Sequence, residues 1–596
     1  MANETNKHVD RLRQYIPFQP GAQQLYEEYV ADPDSAPKVQ TKVFTFVDKL
    51  LADRSTRLVV LTGDAGHGKT HTCRRLLESM GADPQQTLQW LREKGDGQEA
   101  FESDEGRSVR IVKDLSDFAT AAGIDVLLSC EDPSRQPLVV CANEGKIRDV
   151  VSGAGGRLDF LRETLEESTR SGVTSTRPGF HVINLNYQSV SAVDSEIIAE
   201  LLKTWVQNGR HWTVCKRCDA AQACPIWANR QELTGSGESD ARARDRREAI
   251  RLLLQVIEES GQVVTFRELL ILIAYMITGG LSCKDVALRS KKNDWQHEYG
   301  YAQLTFAPPL TEDQKKSFPV FDALSRLDPG KKANRLIDEP LAVDVADTGG
   351  QFTPPMPDGA DPNGQRTRRA AIEDAKRMRT LMEFRRRRDF FELATNRIEA
   401  AQPVRWAGRL GLRFYDDFEF LRSRRDDRMK TIQVRDRLIT GLHAVQGMHV
   451  ASGGAASLHL VDPAFARTEG AATIVARTIR PTEITIEPES IAWQSRNASP
   501  ALPNAVDWLD RRVVIRFGRD NKVELGLDLL QFEYVMRAGE GLACRTFFRA
   551  DIRRIMAMLA LLIGRDSNGT DEISVLRGGK VHKLVVDAGL IRSQEG

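Results

Sequence analysis

Three runs along the chain are apolar without alternation: Leu58-Val59-Val60-Leu61, Leu138-Val139-Val140-Cys141-Ala142, and Phe180 to Leu185, broken only by His181 and Asn184. Runs this short and this uniform predict strands buried on both faces. After the first, His71 to Met80 is helix-compatible and stops at Gly81. From about Ser239 to Asp285 the period becomes helical, with Ile250, Leu253, Leu254, Val256 and Ile257 on one face; "TFRELLILIAYMITGG" adds a capping box, Thr265 with Glu268, and ends at glycines. Helical spacing resumes after Phe390 as far as Val445 and gives way to a glycine-rich stretch at 451–457. Val513–Phe517 and Val523–Leu527 read as a hairpin around the polar turn 519–522, and a long helix is expected at Arg549–Ile563. The final "ISVLRGGKVHKLVV" reads as strand, Gly-Gly, strand, which with that helix resembles a winged-helix ending. Repeats at solenoid periods are not found.

Composition adds bounds. A chain of 596 residues exceeds one ordinary core, so three or four domains are expected. Hydrophobic residues at 41%, charged residues at 28% and a net charge of +1 are ordinary for soluble globular protein, so any basic footprint must be local. The N-terminal "MANETNKHVDRLRQ" is charged where a secretory signal needs an apolar core, and the apolar run Leu269–Leu281 is too short to span a bilayer. A cytoplasmic protein with no membrane partner is the expectation.

Chemistry enters at "LTGDAGHGKTHT". Gly63, Gly68, Lys69 and Thr70 fit G-x-x-x-x-G-K-[ST] between a strand and a helix. In that context the small residues let the backbone N–H groups of Gly63, Asp64, Ala65, Gly66, His67, Gly68, Lys69, Thr70 and His71 surround the phosphates of ATP, at a helix start that favours anions. Lys69 would meet the β- and γ-phosphates, and Thr70 the Mg2+ ion.

Hydrolysis also needs a carboxylate beside the metal and the attacking water. The run 138–142 ends in Asn143-Glu144, where AAA+ ATPases usually have Asp-Glu. Glu144 is the expected catalytic acid, while neutral Asn143 can hold a metal-bound water without adding charge, which permits slow turnover. A second reading makes Asn143 the polar sensor of the γ-phosphate and moves the acid to Asp114 or Glu131. On the first reading Asn186, or Asn184, at the end of the third run would be the sensor. Arg148, Arg157, Arg162 and Arg210 are candidates for a finger acting in trans, and Arg267 or Arg289 for an arginine sensing nucleotide from the helical segment.

"HWTVCKRCDAAQACPIW" places His211, Cys215, Cys218 and Cys224 within fourteen residues. Four such ligands suit a closed, structural Zn2+ site, with an iron–sulfur cluster and unligated thiols as the alternatives. Further on, 346–365 is rich in Gly, Pro and Asp and reads as a linker. Arg366 to Arg388 then carries ten basic against three acidic residues. It reads either as a nucleic-acid phosphate contact or as a helix whose arginines pair with acidic groups of the same chain.

The expected organisation is an α/β P-loop NTPase core of AAA+ type with a zinc-knuckle insertion, a helical lid and a mixed α+β C-terminal region. Boundaries are set at 1–50 (helical), 51–205 (core), 206–235 (insertion), 236–345 (lid), 346–365 (linker), 366–480 (basic, mainly helical) and 481–596 (α+β).

Taken in order, "GDAGHGKT", "ANEGKIRDV", "VINLNYQS", "CKRCDAAQACPI", "TFRELLILIAYMITGG", "LSRLDPG" and "RRRRDFFE" resemble the P-loop ATPase subunit, DptF type, of bacterial phosphorothioate-dependent DNA restriction systems. They span residues 58 to about 395. The resemblance implies an antiphage defence ATPase acting on DNA with partner subunits, a helicase, translocase or nuclease, within a homo- or hetero-oligomer. It also implies Lys69 and Thr70 as nucleotide-binding, Glu144 as catalytic, and Cys215, Cys218 and Cys224 as metal ligands. A nucleotide-switched signalling protein that senses phage and recruits an effector is the alternative function.

Overall fold

The computed structural model describes residues 5–18, 39–235, 241–290, 295–333, 338, 368–392, 405–423, 426–450, 457–461, 473–496, 501–517, 523–542, 549–563, 572–577, 579–587 and 590–595. The expected linker at 346–365 and the polar turn at 519–522 lie outside them. Contacts divide the chain into two compact units. The first comprises Met1–Glu258, Gln262–Gly411 and Arg496–Leu509; the second comprises Glu259–Gly261, Leu412–Ser495 and Asp510–Gly596. The basic helix Arg368–Glu392 thus falls in the first unit, whereas the helices that follow Leu412 fall in the second.

The first unit is built on strands β1 (Leu58–Thr62), β2 (Asp96–Glu102), β3 (Ser108–Val112), β4 (Leu138–Ala142) and β5 (Phe180–Asn184), in the order β2-β3-β4-β1-β5. β3, β4, β1 and β5 run parallel, and only the edge strand β2 is antiparallel to its neighbour. β1 and β4 are buried at every residue, as their unbroken apolar runs require. One set of alternate side chains, Leu58, Val60, Leu138, Val140, Phe180 and Val182, joins a core with Ile124, Leu127, Ile147, Val150 and Leu161 from three helices. From the other set, Cys141 meets Cys73 of the helix Lys69–Ser79, sulfur to sulfur at 3.4 Å.

Two polar clamps fix the chain after β5. Glu258, fully buried, accepts from the Ser189 hydroxyl (2.6 Å), the Ser191 hydroxyl, and the N–H groups of Val190 (3.2 Å) and Ser191 (3.3 Å). Asp507 accepts from the Gln188 amide at 2.8 Å, and the Asp507 N–H donates back to Gln188 at 3.2 Å. Burial raises the Asp507 carboxyl above its ordinary value.

The helical part of this unit follows the expected pattern. Phe266–Thr278 begins at the Thr265/Glu268 capping box and ends at Gly279 in the left-handed region. By length and composition Phe266–Arg289 is apolar enough to cross a membrane, but 72% of its most apolar window is buried inside the protein. The Asn229 side chain ties this layer together, donating to the carbonyls of Met276, Ile277 and Tyr299 and accepting from the Tyr301 N–H at 2.7 Å.

The end of the arginine run, Arg385 to Arg388, is turned inward. Arg387 forms a buried two-pronged pair with Asp328 (2.8 and 2.7 Å), Arg386 pairs with Asp338, and Arg388 with Glu232. For these residues the internal-pairing reading holds, and the exposed basic residues of the helix include Lys376 and Arg379.

The second unit holds β6 (Leu458–Val461), β7 (Thr473–Ile479), β8 (Ile484–Pro488), β9 (Arg512–Phe517), β10 (Val523–Asp528), β11 (Glu572–Arg577), β12 (Lys580–Asp587) and β13 (Leu590–Glu595). They form two antiparallel sheets, β10-β9-β8 and β13-β12-β11-β7-β6. The hairpin β9/β10 and the helix Arg549–Ile563 stand where the patterning puts them. The expected strands β11 and β12 pair antiparallel, but β7 and β13 pair along their two edges, so they are the middle of a five-stranded sheet and not a two-stranded wing. A glycine at 441 lets the helices Arg428–Val445 and Leu529–Gly539 touch backbone to backbone, since a Cβ there would run into the Val535 carbonyl.

Candidate functional site

β1 ends at Thr62, and the glycine-rich loop that follows leads into the helix starting at Lys69. Gly63 (φ 141°), Gly66 (φ 96°) and Gly68 (φ 79°) occupy conformations that L side chains avoid. Space is also tight at two of them, most of all at Gly66. A Cβ at Gly63 would lie 3.1 Å from the Asn186 Oδ1, and one at Gly66 would lie 2.9 Å from the Arg267 Cβ. The loop is thus held between the chain after β5 and the start of the helix Phe266–Thr278, whose Arg267 N–H donates to the Gly66 carbonyl at 3.2 Å.

β1 is also where the sheet's connections change direction: its neighbours are β4 on one side and β5 on the other, and the chain crosses over from β4 to β5. The carboxyl ends of parallel strands at such a switch point form a crevice. Four side chains follow those ends here: Lys69 after β1, Asn143 and Glu144 after β4, and Asn186 after β5.

Their hydrogen bonds interlock. The Lys69 Nζ donates to the Asn143 Oδ1 at 3.0 Å and to the carbonyls of Gly63 (2.7 Å) and Asp64 (2.9 Å). Asn186 accepts from the Asp64 N–H at 2.8 Å and donates to the Glu144 Oε2 at 3.5 Å. The Glu144 Oε1 accepts from Arg148 Nη2 at 2.8 Å and Nε at 3.1 Å, an i,i+4 pair at the start of the helix Glu144–Gly153. Burial pushes the Lys69 ammonium below its ordinary value, with Arg267 adding to the effect and Cys141, Asp114 and Asp64 opposing it. A cation that has lost water and gained little negative charge is placed to gain from an anion.

Asp114 follows β3, the strand beside β4, and caps a short 3-10 turn by accepting from the Ser116 N–H at 2.8 Å. Asp114 thus follows the carboxyl end of a parallel strand next to β4, whereas Glu131, the other alternative acid, pairs with Arg177. Asn184 accepts from the Asn186 N–H at 3.0 Å and shapes the turn that presents Asn186.

Of the other expected residues, some lie in the loop and its helix and others are engaged elsewhere. Thr70 is half-buried in the first turn of its helix, and His67 is buried. The His71 ring is in hydrogen-bond range of the Val39 carbonyl and of Arg74, so its side chain belongs to the packing of the helix. Arg289 stacks on Trp295 and Tyr299 and donates to the Tyr299 hydroxyl, so of the two arginines considered in the helical segment, Arg267 is the one at the loop. Arg148 and Arg162 are held by Glu144 and Asp159.

The zinc set expected from spacing is not closed. Among the described residues no group of three or more His, Cys, Asp or Glu side chains is gathered to hold a metal ion. His211 departs most clearly, because its ring stacks on His8 at 4.5 Å with planes 13° apart. Sequence spacing missed that partner, since His8 lies on the N-terminal helix Lys7–Gln14.

Comparison of the chain with protein-family models, curated proteins and solved structures returns no match.

Proposed function

We propose that the first unit binds ATP with Mg2+ at the glycine-rich loop and hydrolyses it, as the AAA+-like motor of a DNA-directed defence complex. The observation that carries the ATPase reading is the convergence on Lys69 of the Asn143 side chain and the loop carbonyls, with Glu144 and Asn186 alongside.

In this reading the nucleotide's phosphates replace the Gly63 and Asp64 carbonyls as partners of Lys69, and the N–H groups opening the helix Lys69–Ser79 surround them. Thr70 holds the metal, and Asp114 supplies the negative charge on the metal side that Asn143 lacks. Glu144 orients the attacking water, while Asn143 and Asn186 mark the γ-phosphate. Arg267, next to Gly66, tells the helical segment whether the site is filled. The defence setting, the partner subunits and DNA itself follow from the motif resemblance alone.

Calorimetry and phosphate-release assays on the full chain, with and without duplex DNA, test this reading. ATP binding that Lys69→Ala abolishes, together with turnover that DNA or a partner raises, supports it. A second reading, a slow nucleotide latch, is favoured by the Glu144–Arg148 pair, which keeps the acid occupied. Nucleotide-driven assembly indifferent to DNA would favour the latch over the motor.

A further inference from the structure

Glu258 plays no part in the proposed hydrolysis, yet it is fully buried and donors surround it. Its carboxylate accepts from the hydroxyls of Ser189 and Ser191 and from the N–H groups of Val190 and Ser191. Arg251, two turns earlier on the same helix, Ala241–Glu259, donates to the Ser191 carbonyl at 2.9 Å and so grips the arc Ser189–Ser191 from its acceptor side. A buried carboxylate left without donors is costly, so the arc and Glu258 hold each other in one arrangement.

The arc starts three residues after Asn186, and the turn between them is pinned. The Asn186 N–H donates to the Asn184 side chain at 3.0 Å, the Gln188 N–H to the Leu185 carbonyl at 3.0 Å, and the Ser189 N–H to the Asp507 carbonyl at 2.8 Å. Asp507 also holds the Gln188 side chain. At the other end of this turn, the Asn186 amide touches both halves of the crevice, accepting from the Asp64 N–H at 2.8 Å and donating to the Glu144 Oε2 at 3.5 Å. A shift of the arc therefore has little slack to dissipate in before it reaches Asn186.

We infer, on the ATPase reading of the crevice, that Glu258 is a positioning residue of the nucleotide site. It holds Asn186 where the amide bridges the glycine loop and Glu144, and so brings the helical segment to bear on the γ-phosphate. Glu258 and Arg267 both belong to the stretch 236–345 expected as the lid. That stretch then meets the glycine loop twice, at Gly66 through the Arg267 N–H and at Asp64 through Glu258 and Asn186. Lys69 makes its own contacts to the loop and to Asn143, and phosphate binding there does not need the clamp. The Asn186 amide at Glu144 instead bears on the attacking water. Loosening the clamp should thus lower turnover and spare affinity.

Steady-state phosphate release and ATP calorimetry on the full chain test this. Replacing both hydroxyls, Ser189→Ala with Ser191→Ala, should lower kcat about tenfold and leave the Kd for ATP within about twofold. Asn186→Ala should lower kcat at least as far, and the serine changes added to it should bring no further loss, because the clamp acts through Asn186. A merely structural role would not produce that non-additivity. Should the double serine variant fail to fold, Glu258→Gln, which keeps one acceptor oxygen and the shape of the side chain, enters the same cycle in its place. Unchanged kcat in the clamp variant, equal losses of affinity and rate, or losses that multiply with Asn186→Ala would each overturn the inference. Wild-type turnover that is absent, or indifferent to Lys69→Ala, would instead defeat the ATPase reading on which it stands.

Discussion

The Lys69 ammonium donates to the Asn143 side chain across 3.0 Å, joining the first residue of the helix after β1 to the residue that follows β4. The bond makes Asn143 part of the crevice in which the phosphates are proposed to sit. Asn143→Ala is expected to weaken ATP binding by about tenfold to 100-fold, the scale of one hydrogen bond to a charged group, while Lys69→Ala removes it. Titration calorimetry on both variants checks the ranking.

Glu144 and Asp114 are predicted to fail differently. Glu144→Gln should keep nucleotide affinity and lose turnover by about 100-fold or more, the range for a positioned acid or base. Asp114→Asn should raise the Mg2+ concentration needed for half-maximal rate. Metal titrations of steady-state phosphate release distinguish them, and a normal metal requirement in Asp114→Asn would remove that residue from the metal side.

Gly66 and Gly81 share a φ of 96°, but only Gly66 has a neighbour that a methyl group would strike. Gly81→Ala should show the backbone cost alone, about 1–2 kcal/mol of stability. Gly66→Ala should add displacement of Arg267 and lower ATP affinity. Paired thermal melts and binding isotherms measure the difference, and equal behaviour would deny that the helix at Arg267 bears on the loop.

In the second unit, two buried groups oppose each other as pH changes. Burial lowers His443 to about 4, and its Nε2 accepts from the His459 N–H at 2.9 Å, which requires the neutral ring. The unfolded chain therefore binds more protons between pH 6.5 and about 4, so this contribution is present above 6.5 and lost as pH falls through that window. Burial raises Asp528 to about 6, so the folded form holds the extra proton, and this contribution is present below pH 3.8 and lost as pH rises towards 6. Asn caps helices as well as Asp. Asp528→Asn should thus be more stable than wild type at pH 7, by up to ~3 kcal/mol from a shift of about two pK units, and no more stable near pH 4. Chemical denaturation at both pH values checks the sign.

Local patterning foretold the elements that stand on their own sequence: β1, β4, β5, the capped helix Phe266–Thr278, the β9/β10 hairpin and the helix Arg549–Ile563. It did not foretell β2, whose "DGQEAFE" is an edge strand with its polar side chains exposed and so lacks a strong apolar signal. Within the candidate site, the glycine loop, Lys69, Asn143, Glu144 and Asn186 were legible because each ends or follows an apolar run. The approach of Arg267 to Gly66 and of Glu258 to Ser189 and Ser191 depends on tertiary folding, and no spacing in the sequence encodes it.

Titration of the folded full-length chain with ATP and Mg2+, beside Lys69→Ala, tests the central claim most directly. Saturable binding near one nucleotide per chain that vanishes in the variant is predicted. Heats indistinguishable from dilution in the wild type, with the fold intact by circular dichroism, would contradict it.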